Sequence, residues 1–171
     1  MVSEGTSQPH EKPDPTTRFI AIDELTEDVL LEFTKQIQSN NIRVDKDLPQ
    51  LSADVYPKFI HAAVSQLIEN AIHQMPTGGE LNVTLIEGDR CWELEVADST
   101  TQPGLGKREP FQLDSAMTLP KIVATEERSK LELTRRAATV HGGHVQTWDC
   151  PQGGTANVLI IPRRQENSKL A

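Results

Sequence analysis

The sequence has few cysteines and few aromatic residues, and it lacks any long apolar run. Its 171 residues include only two cysteines, Cys91 and Cys150, which are far apart and belong to no Cys-x-x-Cys pair. This spacing indicates neither a metal site nor a disulfide. No stretch approaches the roughly 20 apolar residues that span a bilayer, and no signal-peptide pattern is present. We therefore expect a cytoplasmic protein with reduced thiols and no membrane insertion.

Basic residues are outnumbered by acidic ones. Seventeen Lys and Arg residues stand against 25 Asp and Glu residues, which gives a formal net charge of −8 at pH 7. A negative chain is a poor partner for nucleic acid or an anionic membrane, because both carry dense negative charge. A nucleotide is not excluded, since its phosphates need only local positive groups. The length fits one domain with tails.

The two ends of the chain show no hydrophobic periodicity. Residues 1–18 contain Pro9, Pro13 and Pro15 among polar residues, and residues 163–171 are polar. Such composition is typical of segments that cannot bury enough apolar surface to fold. We predict a disordered lead or linker at 1–18, one folded domain at 19–162 and a polar tail at 163–171.

Within the folded part, hydrophobic periodicity predicts an α+β two-layer sandwich. Helices are expected from Asp23 or Thr26 to about Asn40, from a cap at Asp54 to Met75, and over residues 126–140. Strands are expected at residues 19–22, 42–46, 81–86, 92–97, 144–148 and 156–161. Because the later strands form hairpins, the sheet should be mixed and mostly antiparallel, with about three helices on one face.

The helix ending at Met75 carries a cluster of hydrogen-bonding side chains. Gln66, Glu69, Asn70 and His73 fall at helical spacing opposite its apolar side. One interpretation is a helix that lines a polar cleft. The other is an ordinary amphipathic helix with a solvated outer face.

This stretch resembles the N-box of the histidine-kinase-type ATPases. The run Gln66-Leu-Ile-Glu-Asn70-Ala-Ile-His73 is followed by Pro76-Thr-Gly78-Gly79, as in that family. The order of His141-Gly-Gly-His144, Gly153-Gly-Thr155 and the Ile-Ile-Pro162 end also matches. The resemblance implies the family's sandwich fold, with ATP and Mg²⁺ bound between helices under a lid loop. It places Asn70 as the magnesium ligand and His73 near the phosphates.

The first glycine box of the family is altered in this sequence. The family pattern Asp-x-Gly-x-Gly follows a strand, and its Asp accepts a hydrogen bond from the adenine amino group. Asp98 holds that position, but Thr100 and Gln102 replace the glycines. The resemblance leaves Gly104 and Gly106 as substitutes in a shifted loop. The alternative is that Asp98 is only a turn residue at a strand end.

The second glycine box has lost its glycines. In the family, Gly-x-Gly-Leu-x-Leu opens the last helix and its backbone N–H groups hold the phosphates. Here the run is Ser129-Lys-Leu-Glu-Leu-Thr134, with Glu132 where a triphosphate would lie. Lys130 offsets part of that negative charge, but a side chain does not replace the backbone contact.

Two functions remain open from the sequence. One is a histidine-kinase-like ATPase domain of a signalling protein, with weak or lost ATP binding, impaired catalysis and no phosphoacceptor of its own. The other is a working ATP-binding kinase domain, either a fragment of a sensor kinase or a stand-alone kinase of the anti-sigma-factor type. In both, the expected partner is another signalling protein or the remainder of a kinase.

Overall fold

A computed structural model describes residues 16–99, 131–150 and 153–163. Residues 1–15 of the predicted lead and 164–171 of the predicted tail lie outside these ranges, as do residues 100–130, which include most of the first altered glycine box and the start of the second. So do three of the predicted site residues, Gly104, Gly106 and Lys130. The predicted lead ends one residue too late, because Arg18 already belongs to a strand.

Over these ranges the chain forms seven strands and four helices. The strands are β1 (Arg18–Ala21), β2 (Ile42–Asp47), β3 (Ser52–Val55), β4 (Gly79–Glu87), β5 (Cys91–Ser99), β6 (His144–Asp149) and β7 (Thr155–Pro162). The helices are α1 (Ile22–Glu32), α2 (Thr34–Ser39), α3 (Pro57–Gln74) and α4 (Glu132–Val140). Five strands form a sheet in the order β2-β4-β5-β7-β6, and β1 pairs with β3 in a separate two-stranded sheet.

The predicted α+β sandwich is confirmed. β2 runs parallel to β4, and the other pairs of the large sheet are antiparallel. Alternate residues of β4 and β5 are buried on one face, because side chains of a strand point to opposite sides in turn. That face packs against the apolar sides of the helices, and the shared core includes Val29, Leu67, Leu94 and Ala138.

The first predicted helix differs from the structure at its start and in its middle. Its N-cap is Ala21, so the predicted caps Asp23 and Thr26 are wrong. Oδ1 of Asp23 instead accepts a hydrogen bond from the Leu51 backbone N–H at 3.1 Å, and Thr26 Oγ1 donates to the Ile22 carbonyl at 2.7 Å. The helix is interrupted at Phe33, which is why four helices replace the expected three.

The cap predicted at Asp54 is also wrong. Asp54 lies in β3, a strand that was not among those predicted, and its Oδ2 accepts a hydrogen bond from Thr17 Oγ1 at 3.2 Å. α3 begins after Tyr56 without a side-chain cap, and Pro57 occupies the first helical position as expected. β3 was not predicted because its four residues, which lie between Pro49 and Pro57, are too few to show a hydrophobic period. Its partner strand β1 is also distant in sequence.

Candidate functional site

Asp98 is a buried carboxylate at the end of β5. It lies opposite Leu81 of β4, whose side chain is in the core, so Asp98 points toward the helices. Only 2% of Asp98 is exposed. Its Oδ1 accepts a hydrogen bond from the Thr155 backbone N–H at 3.3 Å, while Oδ2 is buried and has no partner within the described part of the chain. A buried acceptor of this kind can receive a donor from a ligand.

Burial sets the protonation behaviour of this carboxylate. Loss of solvent raises the pKa of Asp98, and backbone hydrogen bonds from Thr155 and from Asp98 itself only partly oppose this effect. Among the described residues, the charged form is therefore only partly compensated. A donor placed at Oδ2 would favour the charged form.

Gly154 lets the chain pass close to Asp98. Its φ is +91°, and a β-carbon at this position would overlap the backbone oxygen of Asp98 and lie 2.9 Å from its Oδ1. Only glycine accommodates both this conformation and this approach. The Gly153-Gly154-Thr155 motif and Asp98, which the resemblance matched separately, thus form one local structure.

Two further polar groups near this end of the sheet were not predicted. Asn157 of β7 is 2% exposed, and its Oδ1 accepts a hydrogen bond from Thr147 Oγ1 at 2.9 Å. Cys150 follows β6, and burial together with the negative charges of Asp98, Glu95 and Asp149 raises the pKa of its thiol. No sequence motif predicts that these groups lie near Asp98, because it is the pairing of β6 with β7 that brings them there.

The polar side of α3 contacts the beginning of α4 through Gln66. Its Oε1 accepts hydrogen bonds from the Thr134 backbone N–H at 2.9 Å and from Thr134 Oγ1 at 3.0 Å. Thr134 is fully buried. Asn70 follows Gln66 by one turn, so it lies on the same side of α3, and it is half-buried.

His73 lies two turns beyond Gln66, and its side chain faces the α2 side of the helix. It is exposed and lines a groove of about 260 Å³ together with Glu69 of α3, Gln36 of α2 and Phe33. The sequence did not separate the α4 side from the α2 side, since residues 66, 69, 70 and 73 share one broad polar side of the helix. The described residues therefore place Asn70 on the α4 side and His73 on the α2 side.

The first turn of α4 carries the second altered motif. Leu131 is the N-cap and is buried, while Glu132 is exposed in the first turn. The backbone N–H of Thr134 is already bonded to Gln66. An anion at this helix end would meet one negative side chain, and one of the backbone donors is occupied.

The described residues contain neither a metal-binding cluster of side chains nor a membrane-spanning helix. No group of three or more His, Cys, Asp or Glu side chains is arranged to hold a metal ion within residues 16–99, 131–150 and 153–163. Over the same ranges, no helix is long and apolar enough to cross a membrane.

Known proteins similar to this chain are histidine kinases. The adaptive-response sensory kinase SasA of Prochlorococcus marinus (strain MIT 9313) is 26% identical over 147 residues, which cover 83% of this chain and 40% of the kinase. The chain thus spans about two fifths of the length of this relative. No protein-family model matches the chain.

Solved structures give the same result for the fold. The catalytic domain of histidine kinase ThkA superimposes with a TM-score of 0.66 at 19% identity, covering 86% of this chain and 95% of that domain. The cytoplasmic segment of histidine kinase QseC superimposes with a TM-score of 0.61 at 17% identity, covering 86% of this chain and 78% of that segment.

Proposed function

We propose that this histidine-kinase-type ATPase domain serves a signal-transduction protein, binds adenine nucleotide through Asp98 and holds the phosphates only weakly. Its fold is that of the kinase catalytic domains, and its curated relatives are sensory kinases. We propose that any phosphoacceptor lies outside this sequence and that phosphoryl transfer is impaired. A cytoplasmic location is part of the proposal, supported by the likeness to the cytoplasmic segment of QseC.

The observation that carries the proposal is that Oδ2 of Asp98 is buried and has no hydrogen-bond partner among residues 16–99, 131–150 and 153–163. An adenine amino group is a neutral donor of the size that such a buried acceptor can receive. A hydrogen bond to a charged group contributes roughly 1.5–3 kcal/mol, and leaving the group unsatisfied costs a comparable amount. The residues present therefore fit the base of the nucleotide.

The phosphate side fits less well. Gln66 occupies the N–H of Thr134, and Glu132 adds a negative charge to the first turn of α4. Two unit charges about 4 Å apart repel by about 1 kcal/mol in water and by more in a drier cleft. This side of the site therefore supports weaker binding of a triphosphate than a glycine-rich helix start would.

Magnesium would depend on Asn70 and on the nucleotide itself. Mg²⁺ prefers oxygen ligands and commonly keeps several waters beside one or two protein ligands and phosphate oxygens. The half-buried amide of Asn70 is suited to supply one such oxygen. Lys130 remains a predicted cation near the phosphates, and Gly104 and Gly106 remain predicted replacements for the lost glycines. The role predicted for His73 near the phosphates stays a prediction, and its side chain lines the groove on the α2 side.

The second candidate is a working kinase domain that phosphorylates a partner protein. It is favoured by the retained Asp98 and Asn70 and by the sensory-kinase relatives. Incubation of the chain with Mg²⁺ and γ-labelled ATP separates the two functions. We expect no labelled band from the chain alone, whereas a band that disappears in Asn70→Ala would establish catalysis.

Calorimetric titration with Mg-ATP tests the proposed binding. We expect a dissociation constant of about 0.1 mM or weaker, since each lost charge-assisted hydrogen bond removes roughly 1.5–3 kcal/mol. Asp98→Asn should abolish this binding. The matched control is Asp149→Asn, which changes a nearby exposed carboxylate. A micromolar affinity that is lost in Asp98→Asn would contradict weak phosphate binding, and equal affinities in Asp98→Asn and wild type would contradict the base pocket.

A further inference from the structure

The two edges of the large sheet differ in how well they resist pairing with another strand. The sheet ends in β2 on one side and β6 on the other. Charged side chains protect an edge strand, because pairing would bring those charges close to another chain. β2 carries four of them, namely Arg43, Asp45, Lys46 and Asp47. β6 ends in a single charged residue, Asp149, contains no proline, and exposes 52% of Trp148.

The backbone of β6 also has a defined set of outward-facing groups. The Cys150 N–H donates to the Gly154 carbonyl at 3.0 Å, so it points toward β7. Backbone direction alternates along an antiparallel strand. The N–H and C=O groups of Val145, Thr147 and Asp149 therefore point away from β7. Within the described residues, no strand pairs with this side of β6.

We propose that β6 pairs with β6 of a second copy of this chain, antiparallel and centred on Thr147. A two-fold axis normal to the sheet places Thr147 beside Thr147 of the second copy and Val145 opposite Asp149 of the second copy. This register forms about six backbone hydrogen bonds. It brings Trp148 beside Gln146 of the second copy on the open face, and no like charges meet.

Arg135 supplies a charged partner for Asp149 across this interface. Its Nε is buried and has no hydrogen-bond partner in the described part of the chain. α4 packs on both β6 and β7 and returns into β6 through the Gly142-Gly143 turn. Arg135 lies seven residues before Gly142 along the helix, and Val145 lies three residues after Gly142 along the strand. A helix rises about 1.5 Å per residue and a strand about 3.3 Å, so each residue is about 10 Å from the turn. Arg135 is therefore level with Val145, where Asp149 of the second copy lies.

The spacing of the helices agrees with this arrangement. Neighbouring strands are about 4.8 Å apart, and α4 lies over the last two strands of the sheet. Two copies of α4 on either side of the axis are then separated by about 10 Å, a normal helix-packing distance. The second copy thus extends both layers of the sandwich.

Sedimentation equilibrium with charge-swap variants tests the proposal. The wild type should approach twice the monomer mass as its concentration rises. Asp149→Arg should weaken association at least about tenfold, because each arginine then faces Arg135 of the other copy. The double variant Arg135→Asp, Asp149→Arg should restore association. Asp45→Arg is the matched control, since it makes the same change on the β2 edge and should leave the dimer unchanged.

Fluorescence quenching by acrylamide gives a second readout. Trp92 is 1% exposed and Trp148 is 52% exposed, so Trp148 dominates quenching. Quenching should fall as the wild type associates and stay high in Asp149→Arg. A wild-type chain that remains monomeric at millimolar concentration would overturn the proposal. A dimer that Asp149→Arg leaves intact would overturn it as well.

Discussion

The two sides of the candidate site differ in how far the protein satisfies its own polar groups. On the sheet side, Asp98 keeps a buried oxygen without a partner in the described residues. On the helix side, Gln66 Oε1 takes two donors of Thr134. A ligand gains most from a group that the free protein leaves unsatisfied, whereas a satisfied group must first lose its own bond. We therefore expect the sheet side to supply most of the binding free energy.

The largest loss of stability should come from Gly154→Ala, because the added methyl group prevents the close approach of residue 154 to Asp98 on the sheet side. A β-carbon there meets the Asp98 backbone, and φ is unfavourable, so the free energy of unfolding should fall by about 3 kcal/mol or more. Urea denaturation measures this change. Gly142→Ala is the control, because its φ of +74° is similar but the nearest atom is Pro162 Cγ at 3.8 Å. The control should lose only about 1 kcal/mol, and equal losses would contradict the packing argument.

Smaller changes in stability and in nucleotide affinity are expected from Gln66→Ala on the helix side. The variant loses two hydrogen bonds to Thr134, so the free energy of unfolding should fall by about 1–2 kcal/mol. It also frees the Thr134 N–H, so Mg-ATP should bind up to about fivefold more tightly. Calorimetry on the variant checks this gain. Gln74→Ala, an exposed change at the end of the same helix, should alter neither quantity.

These two sides were not equally visible in the sequence. Asp98 at a strand end and Asn70 on a periodic helix are local signals, and the structure has both on the elements predicted for them. The bond between Gln66 and Thr134 joins residues 68 positions apart, so no spacing reveals it. The strand β3 and the separate directions of Asn70 and His73 depend on neighbours that only the folded chain supplies.

The smallest expected effect is on the pH dependence of stability, to which Asp98 contributes. Its pKa is raised above the ordinary value of 3.8, so the folded state binds this proton more tightly than the unfolded state does. The corresponding stabilisation is present below pH 3.8 and is lost as the pH rises through the raised pKa. Asp98→Asn should remove this contribution. Thermal unfolding across pH 3–8 should show a smaller slope in Asp98→Asn than in wild type, and identical slopes would contradict the burial argument.

The comparison of adenosine with Mg-ATP tests the central claim most directly. If the sheet side supplies the binding and the helix side supplies little, both ligands should bind the wild type with affinities within about fivefold of each other, a difference of about 1 kcal/mol. Calorimetry under one set of conditions gives both constants. Mg-ATP that binds a hundredfold more tightly than adenosine would show that the phosphates are held well, and it would contradict the account.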